Sequence, residues 1–101
     1  MRVRFTDEAK AKLRAIQAYI AKDAPSRADA MIDRITRHAM RIGEMPQAGR
    51  MVPEYEHALL REVLERPYRI IYRIQPHEIE VLTVMHYRQL LPSDLDELRG
   101  G

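Results

Sequence analysis

The residues of this chain best suited to chemistry gather late in the sequence. His86, Tyr87 and Arg88 close one apolar run, and Arg61, Arg69 and Arg73 lie on the runs before it. Histidine changes charge near neutral pH, so His86 is a candidate general acid or base. Arginine presents a planar fork of donors matched to phosphate or carboxylate. With Glu54 or Glu56 as a base in the preceding loop, such a set meets the needs of RNA cleavage by a 2′-hydroxyl. That reaction takes a base for the hydroxyl, an acid for the leaving oxygen, and cations for the charge growing on phosphate. Two plainer roles compete: His86 as a hydrogen-bonded strand end, and the arginines as partners of Glu62, Glu65 or Glu80.

Other chemistries have little support. His38, His57, His77 and His86 are scattered without metal-ligand spacing, so neither a metal nor another cofactor is expected. There is no glycine-rich phosphate loop. Cysteine is absent, which excludes thiolate chemistry and makes the cytoplasm the expected location. The opening MRVRFTDEAK turns polar too soon for a signal peptide, and no apolar run approaches the roughly 18 residues of a membrane span.

Strands must hold those late residues. Leu59–Leu64, Tyr68–Ile74 and Ile79–His86 read as three strands, the last two joined by a reversal at Gln75–Glu78. Alternation puts Tyr68, Ile70, Tyr72 and Ile74 on one face and Arg69, Ile71 and Arg73 on the other. It also sets Ile79, Val81, Thr83 and Met85 against Glu80, Leu82, Val84 and His86. Tyr68 and Tyr72 alternate with isoleucines, which favours core over base stacking. The cationic surface for a partner is expected from Arg50, Arg61, Arg69, Arg73 and Arg88, with Arg61, Arg69 and Arg73 close together.

The first half supplies the support. Arg2–Phe5 is a candidate strand, and Thr6 can cap a helix with Asp7 and Glu8 in its first turn. Ala9, Leu13, Ile16 and Ile20 form one helical stripe running to about Lys22. Asp23-Ala24-Pro25 breaks it, and a second helix beginning at about Pro25 or Ser26 carries Ala28, Met31 or Ile32, Ile35, Ala39 and Ile42. Ser26 and Asp29 resemble a capping box at its start, and Gly43 and Pro46 end it. Pro46 to Glu54 reads as a loop, and Ser93 can cap a short C-terminal helix reaching Leu98. The pattern is β-α-α-β-β-β plus that tail: an α+β fold with a two-helix hairpin on a twisted antiparallel sheet, in one domain spanning 1–101.

Charge is uneven along this frame. Residues 1–45 hold ten Lys or Arg against six acids, and residues 91–101 hold one against three, so the tail is acidic although the net charge is only +2. Methionines Met31, Met40 and Met45 on or beside the second helix suit an adaptable protein interface.

The order of short motifs resembles one family along nearly the whole chain. The motifs are Phe5-x-x-x-Ala9, Tyr19-Ile20-Ala21, the Pro25–Ala28 step, Gly49-Arg50-x-Val52-Pro53-Glu54 and Leu60-Arg61-Glu62. They continue through Pro67–Arg73 to Val84-x-His86-x-Arg88-x-x-Leu91-Pro92. Together they resemble the RelE/ParE superfamily of toxins from bacterial type II toxin–antitoxin modules, on the ParE-like side. The resemblance implies a toxin that arrests growth until a small, usually DNA-binding antitoxin covers it, with operator DNA contacted only through that antitoxin. ParE-like members poison DNA gyrase, while RelE-like members cut mRNA on the ribosome. RelE depends on lysines around its sheet and a C-terminal tyrosine, and here no lysine follows Lys22. Arg69, His86 and Tyr87 resemble the catalytic set of the YoeB-like nucleases, but Tyr87 is followed by further chain. Gyrase inhibition is therefore the expected activity, with mRNA cleavage and a nontoxic corepressor as alternatives.

Overall fold

The computed structural model describes residues 1–55 and 59–91. Its order is β1 (Arg2–Phe5), α1 (Asp7–Ala21), α2 (Pro25–Ile42), β2 (Arg50–Met51), β3 (Leu60–Glu65), β4 (Tyr68–Ile74) and β5 (Glu78–His86). The strands form one sheet in the order β1-β5-β4-β3-β2, and the helices cover one of its faces. The two-helix hairpin on a sheet is the α+β arrangement expected above. The expected C-terminal helix from Ser93 lies outside the described residues, as does Glu56.

Local signals set the helices. The Thr6 hydroxyl accepts the Ala9 N–H at 3.0 Å, satisfying one of the donors that a helix start leaves open. The same hydroxyl donates to the Leu82 carbonyl at 2.9 Å, so the cap also ties α1 to β5. At α2 the expected capping box does not form. The helix begins at Pro25, within the expected start, but its cap is Ala24, two residues before Ser26 and without a side-chain bond. Proline's preset φ suits the first helical position, and this leaves Ser26 inside the helix.

The sheet departs from simple alternation at three places. β1 runs parallel to β5, Phe5 facing Val81, so the sheet is mixed and not wholly antiparallel. β2, within the segment read as loop, pairs Arg50 with Glu62 and forms an edge. In β5 the pairing jumps from Thr83 opposite Ile71 to Val81 opposite Tyr72, leaving Leu82 as an extra residue. That bulge reverses the facing of every residue beyond it. Val84 thus joins Ile79 and Val81 under the helices, whereas Leu82 and Met85 belong to the opposite face.

Two apolar clusters result. Under the helices, Ala9, Ile35, Ala39 and Ile42 pack on Ile70, Tyr72, Ile79, Val81 and Val84. On the other face Val52, Leu60, Ile71, Leu82 and Leu91 form a smaller cluster. Each buried isoleucine or leucine contributes about 1.5–3 kcal/mol relative to exposure. Of the three methionines noted above, Met31 packs against the main cluster, while Met40 and Met45 stay more than half exposed. No helix among the described residues is long and apolar enough to cross a membrane.

Candidate functional site

Arg69 is the structural centre of the outer sheet face. On β4 it stands opposite Leu64, and its side chain is only 5% exposed. Its Nη1 and Nη2 donate to the two Glu54 oxygens at 2.9 and 2.8 Å, and its Nε donates to Glu62 Oε1 at 2.7 Å. Nη1 also donates to the Gln89 carbonyl at 3.0 Å. Four of the five guanidinium N–H groups are engaged in these contacts, so Arg69 has little left for an outside phosphate. The plainer role, ion pairing with Glu62, is the one realised, with Glu54 added. Glu54 and Glu62 together hold Arg69 charged, raising its pKa above the usual arginine value.

Around that centre three segments are fastened. Glu62, fully buried, also accepts Arg50 Nε at 2.6 Å, which brings in edge strand β2. Glu54 Oε2 accepts the Leu91 N–H at 3.0 Å, which brings in the segment leaving β5. Leu91 itself is buried in the outer cluster. Arg69 foremost, aided by the Leu91 N–H, depresses the Glu54 carboxyl from its ordinary 4.5 to about 2. A depressed carboxyl contributes stability above its unfolded pKa and loses it as pH falls through the folded one. Stability is therefore expected to fall by on the order of 2 kcal/mol between pH 4.5 and 2, after allowance for water reaching this partly exposed carboxylate. Glu54→Gln should flatten that limb in urea titrations at stepped pH; an unchanged limb would assign the acid loss to other carboxylates.

His86 faces the other way. It stands opposite Tyr68, edge-to-face at 6.1 Å between ring centroids, and opens into a groove beside α1 that includes Tyr19 and Ile16. Its second contact is a stack on Tyr87 at 4.8 Å, and Arg88 lies 5.5 Å over the Tyr87 ring. His86 Nδ1 accepts the Arg88 backbone N–H at 3.2 Å. The three residues that would act together under the alternative of RNA cleavage are thus divided. Arg69 is buried on the outer face, His86 lines the helix-side groove, and Tyr87 is half exposed between them.

The other arginines separate as well. Arg61 pairs in register with Tyr72, hence on the helix side, and its Nη1 donates to the Gly49 carbonyl at 2.7 Å. Arg73 shares the outer face with Arg69, but four residues of strand put them about 13 Å apart with Ile71 between. The expectation that Arg61, Arg69 and Arg73 lie close together fails, because register and not spacing decides which side a strand residue faces. Arg50 is 61% exposed, and Arg88 is exposed at the strand exit. Sequence reasoning passed over Arg66, Gln89 and Leu90, which border the outer groove with Arg50 and Tyr87. The one signal was the turn phrase Arg66-Pro67, which places Arg66 at a solvent-facing hairpin tip.

The fold has known counterparts. Residues 3–91 match the model of the ParE toxin of type II toxin–antitoxin systems, parDE. The chain belongs to the ParE toxin family. It is 36% identical over 96 residues to "Putative toxin Y4kP" of Sinorhizobium fredii, covering 93% of this chain and 96% of that one. A structure of the chromosomal ParDE system from P. aeruginosa aligns with a TM-score of 0.73 and 25% identity, over 85% of this chain and 95% of that one. The toxin–antitoxin complex RelBE2 from Mycobacterium tuberculosis aligns at a TM-score of 0.54, also with 25% identity, over 84% and 95%. This ParE-family toxin thus shares its helix hairpin and sheet with both ParDE and RelBE proteins. The matched residues end at Leu91, the residue that Glu54 holds.

Proposed function

We propose that this toxin arrests bacterial growth by binding and inhibiting DNA gyrase, without breaking a bond itself, and that a cognate antitoxin neutralises it. The observation that carries the reading is the division of Arg69 from His86, with Arg69 engaged by Glu54 and Glu62. Ribosome-dependent cleavage requires a proton-transfer group and a cation at one phosphate, and these two lie on opposite faces of the sheet. Inhibition by surface complementarity requires no such convergence. The toxin–antitoxin assemblies solved for the ParDE and RelBE2 relatives support an antitoxin partner here, through which operator DNA would be reached. The site of action would be the cytoplasm.

The stacked His86-Tyr87 pair under Arg88 favours mRNA cleavage as the second reading. One variant separates the two. Purified toxin is expected to block supercoiling by gyrase, and His86→Gln should change that by less than about threefold while mRNA in induced cells stays intact. A positioned acid or base typically contributes about 10²–10⁴-fold, so a nuclease would lose most activity in His86→Gln. Rapid ribosome-dependent mRNA cutting that disappears in His86→Gln would overturn the proposal, and unimpeded growth on expression of the lone toxin would leave only a corepressor.

A further inference from the structure

The outer sheet face carries a groove of about 520 Å³ that the Arg69 network shapes but does not fill. Its apolar lining comes from Leu64, Pro53, Leu90 and the Tyr87 ring. Leu90 is 80% exposed, an unusual setting for a leucine held beside a buried neighbour. The rim is cationic: Arg50 and Arg66 border it, and Arg88 lies over Tyr87. Arg66 and Arg88 form no ion pair with any described residue, although Arg50 shares Glu62 with Arg69. Beside the groove runs β2, a two-residue edge strand whose second side is unpaired among the described residues.

We infer that this groove is the surface through which the toxin engages its target, and that it accepts an acidic polypeptide segment carrying a large apolar anchor residue. The inference rests on the proposed inhibition of a protein target. An apolar floor ringed by charge is the usual form of a protein hot spot, in which one buried side chain anchors and rim charges set orientation and encounter rate. The open edge of β2 offers backbone donors and acceptors to an extended segment laid along it. A nucleic acid fits less well. Phosphate backbones are held by many successive cations, commonly 6–10 contacts, while here a few separated arginines surround apolar surface and the Glu54 carboxylate forms part of the wall.

The test uses three exposed positions, where substitution leaves the core intact: Arg66→Glu, Arg88→Glu and Leu90→Ser. Each is compared with wild type for gyrase inhibition, growth arrest, mRNA integrity and antitoxin affinity, with Arg66→Lys as the conservative control. Inhibition and growth arrest are expected to weaken about tenfold or more in the three variants, to persist in Arg66→Lys, and to fall more steeply in high salt for wild type than for the charge reversals. Antitoxin affinity should stay within about threefold. Undiminished inhibition by all three variants would overturn the inference while leaving gyrase as the target. Loss of antitoxin affinity instead would assign the groove to the antitoxin. If wild type spares gyrase and cuts mRNA, the functional reading falls; an acidic polypeptide is then overturned as occupant whether or not the variants still cut.

Discussion

Replacing Arg69 with alanine is expected to cost about 3–5 kcal/mol of folding stability, because it strands two carboxylates that have only partial alternatives. Glu62 is fully buried and would keep only Arg50, whose side chain is largely in water. Glu54 would keep the Leu91 N–H, and the segment from Gln89 to Leu91 would lose one of its ties. Against a typical total of about 5–15 kcal/mol, the loss is roughly a fifth or more, and the urea midpoint should drop accordingly. Arg69→Lys should recover little, since an ammonium cannot reproduce the forked contacts to Glu54. Arg69→Met combined with Glu62→Leu should lose less than Arg69→Ala alone, because removing both charges leaves no stranded carboxylate at Glu62. Arg73→Ala, with no ion pair among the described residues, should shift the midpoint little. An Arg69→Ala protein that unfolds at the wild-type urea concentration yet no longer arrests growth would return Arg69 to a target-binding role.

A second large effect is expected at Gly49, where the chain enters β2. A Cβ there would lie 2.5 Å from the Tyr72 hydroxyl and 2.6 Å from the Glu62 carbonyl oxygen, closer than packed atoms approach. The neighbours have little room to yield. The Tyr72 hydroxyl donates to the Pro46 carbonyl at 2.6 Å and accepts the Gly49 N–H at 3.1 Å, while Arg61 donates to the Gly49 carbonyl. Gly49→Ala must displace β2, Tyr72 or both, at about 2–3 kcal/mol, which for a chain of this size lowers Tm by roughly 10 °C or more. Tyr72→Phe should cost about 1–3 kcal/mol by leaving the Pro46 carbonyl and Gly49 N–H without that partner. Because truncating the hydroxyl also makes room for the methyl, the double variant should lose clearly less than the sum of the two. Strict additivity of the melting shifts would mean that the Glu62 carbonyl alone resists the Cβ. A wild-type Tm for Gly49→Ala would show that the β2 entry is loose, and would weaken the case for an ordered edge beside the groove.

Both effects depend on contacts between segments far apart in sequence, and this separates what was legible beforehand from what was not. The helices could be read directly, because a 3.6-residue stripe and a capping threonine act within a few residues of themselves. Ala9, Ile35 and Ile42 lie where their spacing put them, and so do Tyr68 and Tyr72 under the helices. The Gln75–Glu78 reversal was equally local, closed by a Gln75 N–H to the Glu78 carbonyl. Motif order carried the family as well, since a pattern of residue types survives without knowledge of what touches what.

Strand facing belongs to the other kind of information. A strand's own alternation says that two faces exist, but register against its neighbours decides which face meets the helices, and one extra residue exchanges them. Arg61 joined Tyr72 on the helix side for that reason, and the bulge at Leu82 carried Val84 and His86 there too. β2 is two residues long, too short for any periodicity, and exists because Glu62 on β3 receives Arg50. The parallel pairing of β1 with β5 joins residues 76 apart, a contact to which no local preference points. The role of Arg69 turned on the same physics. Its type and position suit an anionic partner equally well inside or outside the protein, and only the arrival of Glu54, Glu62 and Gln89 around it made that partner internal. Arg66 and Arg88 stay exposed and without an ion pair among the described residues, because burial and pairing, which select among the arginines, arise only when the distant segments meet.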